Sequence, residues 1–286
     1  MMAENFNNMP DNGSIGSIIK QANNLSAEQV EQILRYQREH SVKFGEAAVA
    51  LGLADRSDVL WALSQQFHYQ YAGTSNSSIS SELILARFPF SEEAEVFRDL
   101  RSQLIASVFE QQPRPALAIV SSDVGDGKSF FAANLAVALS QLGGRTLLLD
   151  ADMRTPRLQQ LFNVEASGGL SGILSGRHET NVIRPIEDMP SLYLLPVGVV
   201  PPNPLELVQG KAFEQLMQEL RAKFDYVIVD TPAASHGADA RAVSRSCGAA
   251  LLIGRKGRTK MEDIEKFSKS IVKSKAQLAG VLLNEF

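Results

Sequence analysis

The stretch SSDVGDGKS, Ser121 to Ser129, decides the fold of this 286-residue chain. It grows out of LAIVSS, an apolar, β-branched run that reads as a buried strand, and leads into FAANLAVALSQLG, a helix pattern closed by Gly143 and Gly144. A strand, a glycine-rich loop and a helix in that order are the context a phosphate-binding loop requires. Gly125 and Gly127 let backbone amides turn toward phosphate oxygens, and the helix that follows offers its positive N-terminus. Lys128 supplies a point charge and the Ser129 hydroxyl is a candidate Mg²⁺ ligand. Residues Gly125, Asp126, Gly127, Lys128, Ser129 and Phe130 are therefore the expected nucleotide contacts. The usual pattern places glycine five residues before Gly127, where this chain has Ser122. A serine there is tolerated when its φ stays negative.

Two further segments complete the reading. RTLLLDADMR ends at Arg154 and YVIVDTP ends at Pro232, and in each an apolar strand pattern runs into acids. The C-terminal ends of parallel strands are where open α/β sheets bind ligands, so three segments distant in sequence make one site. Asp150 and Asp152 fall on the same side of the chain if the extended conformation continues past the strand. Two carboxylates facing one cavity repel each other unless a metal or phosphate-binding cations offset them, which points to Mg²⁺ beside ATP. Asp230 reads as the acid that holds a magnesium-bound water. The expected fold class is α/β, a P-loop NTPase with a largely parallel sheet flanked by helices.

The order of P-loop, hhhDxDxR and hhhDxxP (h, apolar) resembles the bacterial tyrosine kinase family, in particular its EpsG-type chain-length determinant kinases of exopolysaccharide clusters. EAEVFRDLR carries the family's E-x-x-R-x-x-R at Glu95, Arg98 and Arg101, and GGLSGIL and LPVGVVPPNPLELV resemble its later loops. The resemblance covers residues 90 to 286. It implies that Lys128 and Ser129 bind phosphates and Mg²⁺, that Asp152 and Asp230 complete the metal shell, and that Asp150 is the base for an acceptor hydroxyl, with the division between Asp150 and Asp152 left open. Arg154 joins them as a catalytic residue. Asn284, in GVLLNEF, matches the position where related ATPases contact adenine. The resemblance further implies self-association through Glu95, Arg98 and Arg101, and a transmembrane chain-length or copolymerase protein as partner. The chain would then be cytoplasmic and reach the inner membrane through that partner. Members phosphorylate a terminal tyrosine cluster, whereas the tyrosines here are Tyr36, Tyr69, Tyr71, Tyr193 and Tyr226.

Outward toward the N-terminus lies an internal repeat with an offset of 29, pairing Gly16 with Gly45, Val30 with Val59, Leu34 with Leu63 and Gln37 with Gln66. Each unit reads as a short helix, a turn and an amphipathic helix, with Ser26 and Asp55 or Ser57 as N-caps. Residues 14–71 are thus expected to form a small helical module, residues 72–90 a linker opening on the small polar run AGTSNSSISS, and residues 91–286 the P-loop domain. The module resembles the N-terminal domains of secretion and pilus-assembly ATPases, including the MshE-type domain that binds cyclic di-GMP. That type begins each unit with R-L-G, whereas Ser14-Ile15-Gly16 and Lys43-Phe44-Gly45 stand here, so both arginines are missing and partner docking is the favoured role.

Composition narrows the remaining classes. Hydrophobic residues make up 44% of the chain and its net charge is −4, which suits two buried cores and no nucleic-acid function. Residues 255–275 nevertheless carry eight Lys and Arg against three acids, a basic helical stretch that suits acidic headgroups or an acidic partner segment. No apolar run is long enough to span a bilayer. The single cysteine, Cys247, excludes an internal disulfide, and His40, His68, His178 and His236 lack zinc-ligand spacing. Two alternatives share the fold. A MinD or ParA-like positioning ATPase carries a second loop lysine where this chain has Asp123. A nonenzymatic switch would use its nucleotide only to control assembly.

Overall fold

The computed structural model describes residues 14–66, 79–165, 167–187 and 189–285. The chain divides into two compact units, Met1–Ser77 and Ser78–Phe286.

In the first unit, helices α1 (Ile15–Ala22), α2 (Ala27–His40), α3 (Phe44–Ala50) and α4 (Arg56–Gln66) give the short-then-long pair twice. Polar residues start three of the four. Ser14 Oγ accepts from Ser17 N, Ser26 and Gln29 cap each other, and Asp55 and Asp58 exchange two bonds of 2.9 Å. Ile19, Leu25, Ile33, Ala47, Ala48 and Ala62 form a separate core, with Trp61 packed at its margin. Gly45 lets α3 approach α4, since a Cβ there would lie 2.6 Å from Val59.

The second unit opens with α5 (Ile84–Arg87) and α6 (Glu92–Leu104), which runs on through a π-turn at Ile105–Phe109. Strand β1 (Ala116–Ser121), α7 (Lys128–Ser140), β2 (Thr146–Asp150), α8 (Leu158–Leu161) and α9 (Leu170–Leu174) follow. Then come β3 (Arg184–Ile186), β4 (Met189–Leu195), α10 (Pro204–Gln209), α11 (Lys211–Lys223) and β5 (Tyr226–Asp230). Helix α12 (Asp239–Cys247), β6 (Gly248–Arg255), α13 (Met261–Lys273) and β7 (Gln277–Asn284) complete the unit. The sheet order is β3-β4-β2-β5-β1-β6-β7, and only β3 runs antiparallel to its neighbour. Strands β1 and β2 are buried along their whole length, as their unbroken apolar runs require. The chain leaves β1 for β2 on one side and later returns to place β6 on the other, so the loop after β1 sits at the switch point of the sheet.

The expected linker over 72–90 is too long. Residues 71–78 lie outside the described set, but Ser80 to Phe90 belong to the second unit. Leu83, Leu85 and Ala86 are buried, and Asn134 of α7 accepts from Leu85 N and donates to Glu82 O. Polar composition ends at Ser81, after which ELILARF supplies the apolar side chains that dock on α7.

Candidate functional site

Sheet register brings the acids together. Asp150 and Asp230 stand directly opposite each other at the ends of β2 and β5, and Ile119 of β1 faces Asp230 on its other side. The loop from Ser121 therefore rises beside both carboxylates. Gly125 and Gly127 have φ of 85° and 101°, conformations that favour glycine, while Ser122 is absent from the residues with positive φ. The serine thus fits where the common pattern has glycine.

Several bonds hold the loop. Asp126 is fully buried, and its Oδ2 accepts from Asp123 N at 3.0 Å while its Oδ1 accepts from the Thr259 hydroxyl at 3.0 Å. Asn284 Nδ2 donates to Asp126 O at 3.2 Å, and the Arg255 guanidinium to Gly125 O at 3.4 Å. The Arg258 guanidinium lies against Gly125, within 2.8 Å of where a Cβ would stand. Lys128 is buried, with Nζ donating to Ser121 Oγ at 2.9 Å. Phe130 packs edge-on to Phe97 of α6.

The segment after β2 departs from the sequence expectation in one respect. Extended backbone ends at Asp150, and the chain turns. Asp152 N donates to Asp150 Oδ1, and Leu158 N donates to Asp150 Oδ2. Asp152 in turn accepts from Arg154 N and Thr155 N on Oδ1 and from the Thr155 hydroxyl on Oδ2. Short acids capping their own turn replace the alternation of a strand. The carboxylates still feel one another. Burial, followed by the charges of Asp230 and Asp152, holds Asp150 well above the usual carboxylate range. Burial likewise pushes Asp230 up to about 7, against the opposing pull of Ser129 and Lys128.

Asp230 Oδ1 accepts from Thr231 N, whereas its Oδ2 is buried without a hydrogen-bond partner. An orphaned, buried carboxylate oxygen beside Ser129 and two further acids fits a hard cation. Among the described residues no three acidic, histidine or cysteine side chains could hold a metal by themselves. This suits Mg²⁺, which is typically bound through one or two carboxylates plus substrate phosphates. The residues present therefore fit Mg-ATP.

Arg154 sits farther out. Its guanidinium grips Asp239, the first residue of α12, through Nε at 3.3 Å and Nη2 at 3.1 Å. Asp239, Thr259, Thr231 and Thr155 are the site residues the sequence did not single out. Asp239 had one signal, an acid opening a helix soon after VIVDTP; the hydroxyls of Thr259 and Thr231 had none.

Of the other expected residues, Arg98 bonds Glu95 and Pro89 O, and Arg101 donates to Ala138 O at 2.7 Å. Both arginines thus serve their own chain, while Glu95 is 68% exposed. Cys247 is buried, its thiol pushed up to about 12 by burial. Tyr69 and Tyr71 lie outside the described residues. No helix among the described residues is long and apolar enough to cross a membrane.

Comparison with known proteins agrees with this geometry. The model of the ParA family, described as NUBPL iron-transfer P-loop NTPase, matches residues 113–285. The chain is 33% identical over 192 residues to the tyrosine-protein kinase CpsD of Streptococcus agalactiae serotype III, covering 67% of this chain and 82% of that protein. It is 31% identical over 208 residues to the tyrosine-protein kinase YwqD of Bacillus subtilis, covering 73% and 87%. The solved kinase domain of the Escherichia coli tyrosine kinase ETK superposes with a TM-score of 0.69 at 30% identity, covering 73% of this chain and 81% of that one.

Proposed function

The chain belongs to the bacterial tyrosine-protein kinases, which are built on a ParA-type P-loop NTPase domain, and on that premise we propose the following division of labour for transfer from Mg-ATP to a tyrosine hydroxyl. The amides of Gly125 to Ser129 and the N-terminus of α7 cradle the phosphates, and Lys128 turns from Ser121 to the phosphate oxygens. Held at Ser129, Asp152 and Asp230, Mg²⁺ would neutralise charge on those oxygens. Asp150, which stands opposite Asp230 beside the loop, accepts the hydroxyl proton. Arg154, anchored on Asp239, orients the segment that carries Asp152. Asn284 and Phe130 bound the nucleotide where the loop meets β7 and α6.

The observation that carries this reading is the pairing of Asp150 with Asp230 across the β2–β5 register beside the loop of Lys128. Asp123, which occupies the place of the second lysine, separates the kinase from a positioning ATPase.

The acceptor comes from outside this catalytic unit. Tyr226 begins β5 and so lies at the opposite end of that strand from Asp230, and Tyr193 packs on Phe224. Tyr36 belongs to the other unit and stacks on His40. We assign the biological role to control of exopolysaccharide chain length, polymerisation or export. A transmembrane copolymerase would be the activating partner and the means of reaching the inner membrane. Self-association uses the face of α6 that presents Glu95.

Measuring ATP turnover and phosphotyrosine formation by the wild type and Lys128→Ala, with and without such a partner, tests the assignment. Transfer by the wild type that Lys128→Ala loses by at least about 100-fold is expected. Equal, negligible turnover in all four cases would instead establish a nucleotide-dependent assembly switch.

A further inference from the structure

Two cavities in the second unit are neighbours, with Arg241 and Ser270 lining both. The first, of about 430 Å³, starts at Ser122 and Asp123 of the nucleotide loop and passes Gly237 to reach Arg241, Lys266 and Phe267. The second, of about 670 Å³, shares Arg241 and Ser270 with it and continues between α12 and α13 past Arg245, Lys273 and Lys275. Together they line an open channel that begins at the nucleotide loop and runs away from it, crossed by the Arg241–Ser270 bond.

Charge changes along this channel. In the near half Arg241 and Lys266 face Asp123 and Asp263, so the walls are balanced, and Phe267 adds an aromatic surface. In the far half Arg241, Arg245, Lys273 and Lys275 face only Glu214. Arg241 donates weakly to Ser270 Oγ at 3.4 Å, and none of Arg245, Lys266, Lys273 and Lys275 forms an ion pair among the described residues. These cations are exposed along one groove, where an anionic occupant relieves their mutual repulsion. The loop end of the groove, lined by Ser122, Asp123 and Phe267, favours a polypeptide segment over a membrane surface.

We propose that this channel is the acceptor groove, and that it takes a tyrosine borne on an acidic polypeptide segment. The inference rests on the kinase reading of the site. The tyrosine ring lies in the balanced half against Phe267, with its hydroxyl toward the loop, and the acidic residues of the same segment lie in the basic half. Helix α12 ties the two ends together, because Asp239 at its start is clamped by Arg154 of the DxDxR turn. Occupancy of the groove is thereby felt beside Asp152.

The test pairs transfer with binding. Peptides with one tyrosine flanked on one side by Glu residues or by Gln residues are offered to the wild type and to Arg245→Glu/Lys273→Glu, with ATP hydrolysis measured in parallel. The wild type is expected to favour the acidic peptide by about tenfold in kcat/KM, and the charge-reversed protein to lose that preference with hydrolysis and the Gln peptide within about twofold. A fluorescent acidic peptide with phenylalanine in place of tyrosine reads binding by anisotropy, with a tenfold weaker Kd for the double variant and weakening in salt.

Tyrosine transfer that ignores flanking charge would overturn the groove and leave the kinase standing. Charge-dependent binding without any tyrosine transfer, with the activating partner present, would leave the groove and overturn the kinase. Wild-type cosedimentation with phosphatidylglycerol vesicles, lost in the double variant while peptide preference is kept, would reassign these cations to a membrane and overturn the proposal.

Discussion

Asp230 concentrates the conflict at this site. Its carboxyl titrates near 7 in the folded chain against 3.8 for the free group, so the fold favours the protonated form. That contribution to stability is complete below about pH 4 and is lost as pH climbs through about 7. Asp230→Asn removes the buried charge, and the nucleotide-free variant is expected to melt about 3 to 6 °C above the wild type at pH 8 but not at pH 4, while losing Mg-dependent transfer. Scanning calorimetry at the two pH values checks it. Thr259 makes a different demand, since its hydroxyl donates to Asp126 and accepts from Arg255 N. Thr259→Val should loosen the loop and raise KM for ATP about 3- to 10-fold with a smaller change in kcat, as read by steady-state kinetics. The loop and its acids were legible in sequence because each follows an apolar strand. Thr259 was not, because a hydroxyl distant in sequence acquires its partner only when β6 lies beside β1.

At the scale of elements, α5 and α6 show where composition misleads. A short helix after a polar run reads as linker, yet Leu85 is buried and Asn134 holds the backbone at Glu82 and at Leu85 itself. Leu85→Ala is expected to cost about 2 to 4 kcal/mol in urea unfolding of the second unit, a penalty no linker residue would show. On α6 the three motif residues have divided duties. Arg101→Ala removes a bond to the end of α7 and should lower stability by about 1 kcal/mol. Glu95→Arg should lower stability by less than about 1 kcal/mol and reduce self-association measured by analytical ultracentrifugation. The motif was legible as a motif; which of its members faces outward depends on the neighbouring carbonyls of Pro89 and Ala138, which no spacing reveals.

For the molecule as a whole, each unit has a core of its own among the described residues. Removing residues 1–77 is therefore expected to leave the ATP turnover and melting temperature of the remainder within about twofold and about 2 °C, checked by kinetics and calorimetry on the shortened chain. The repeat offset foretold the paired helices of the first unit, since capping residues and apolar spacing are local properties. The repeat specifies no ligand, because recognition depends on side chains the repeat does not preserve. The sealed thiol of Cys247 has a practical corollary: a cysteine introduced at an exposed position becomes the preferred attachment point for maleimide dyes. One label on each unit would then let single-molecule fluorescence follow their separation through a catalytic cycle without first rebuilding the native background.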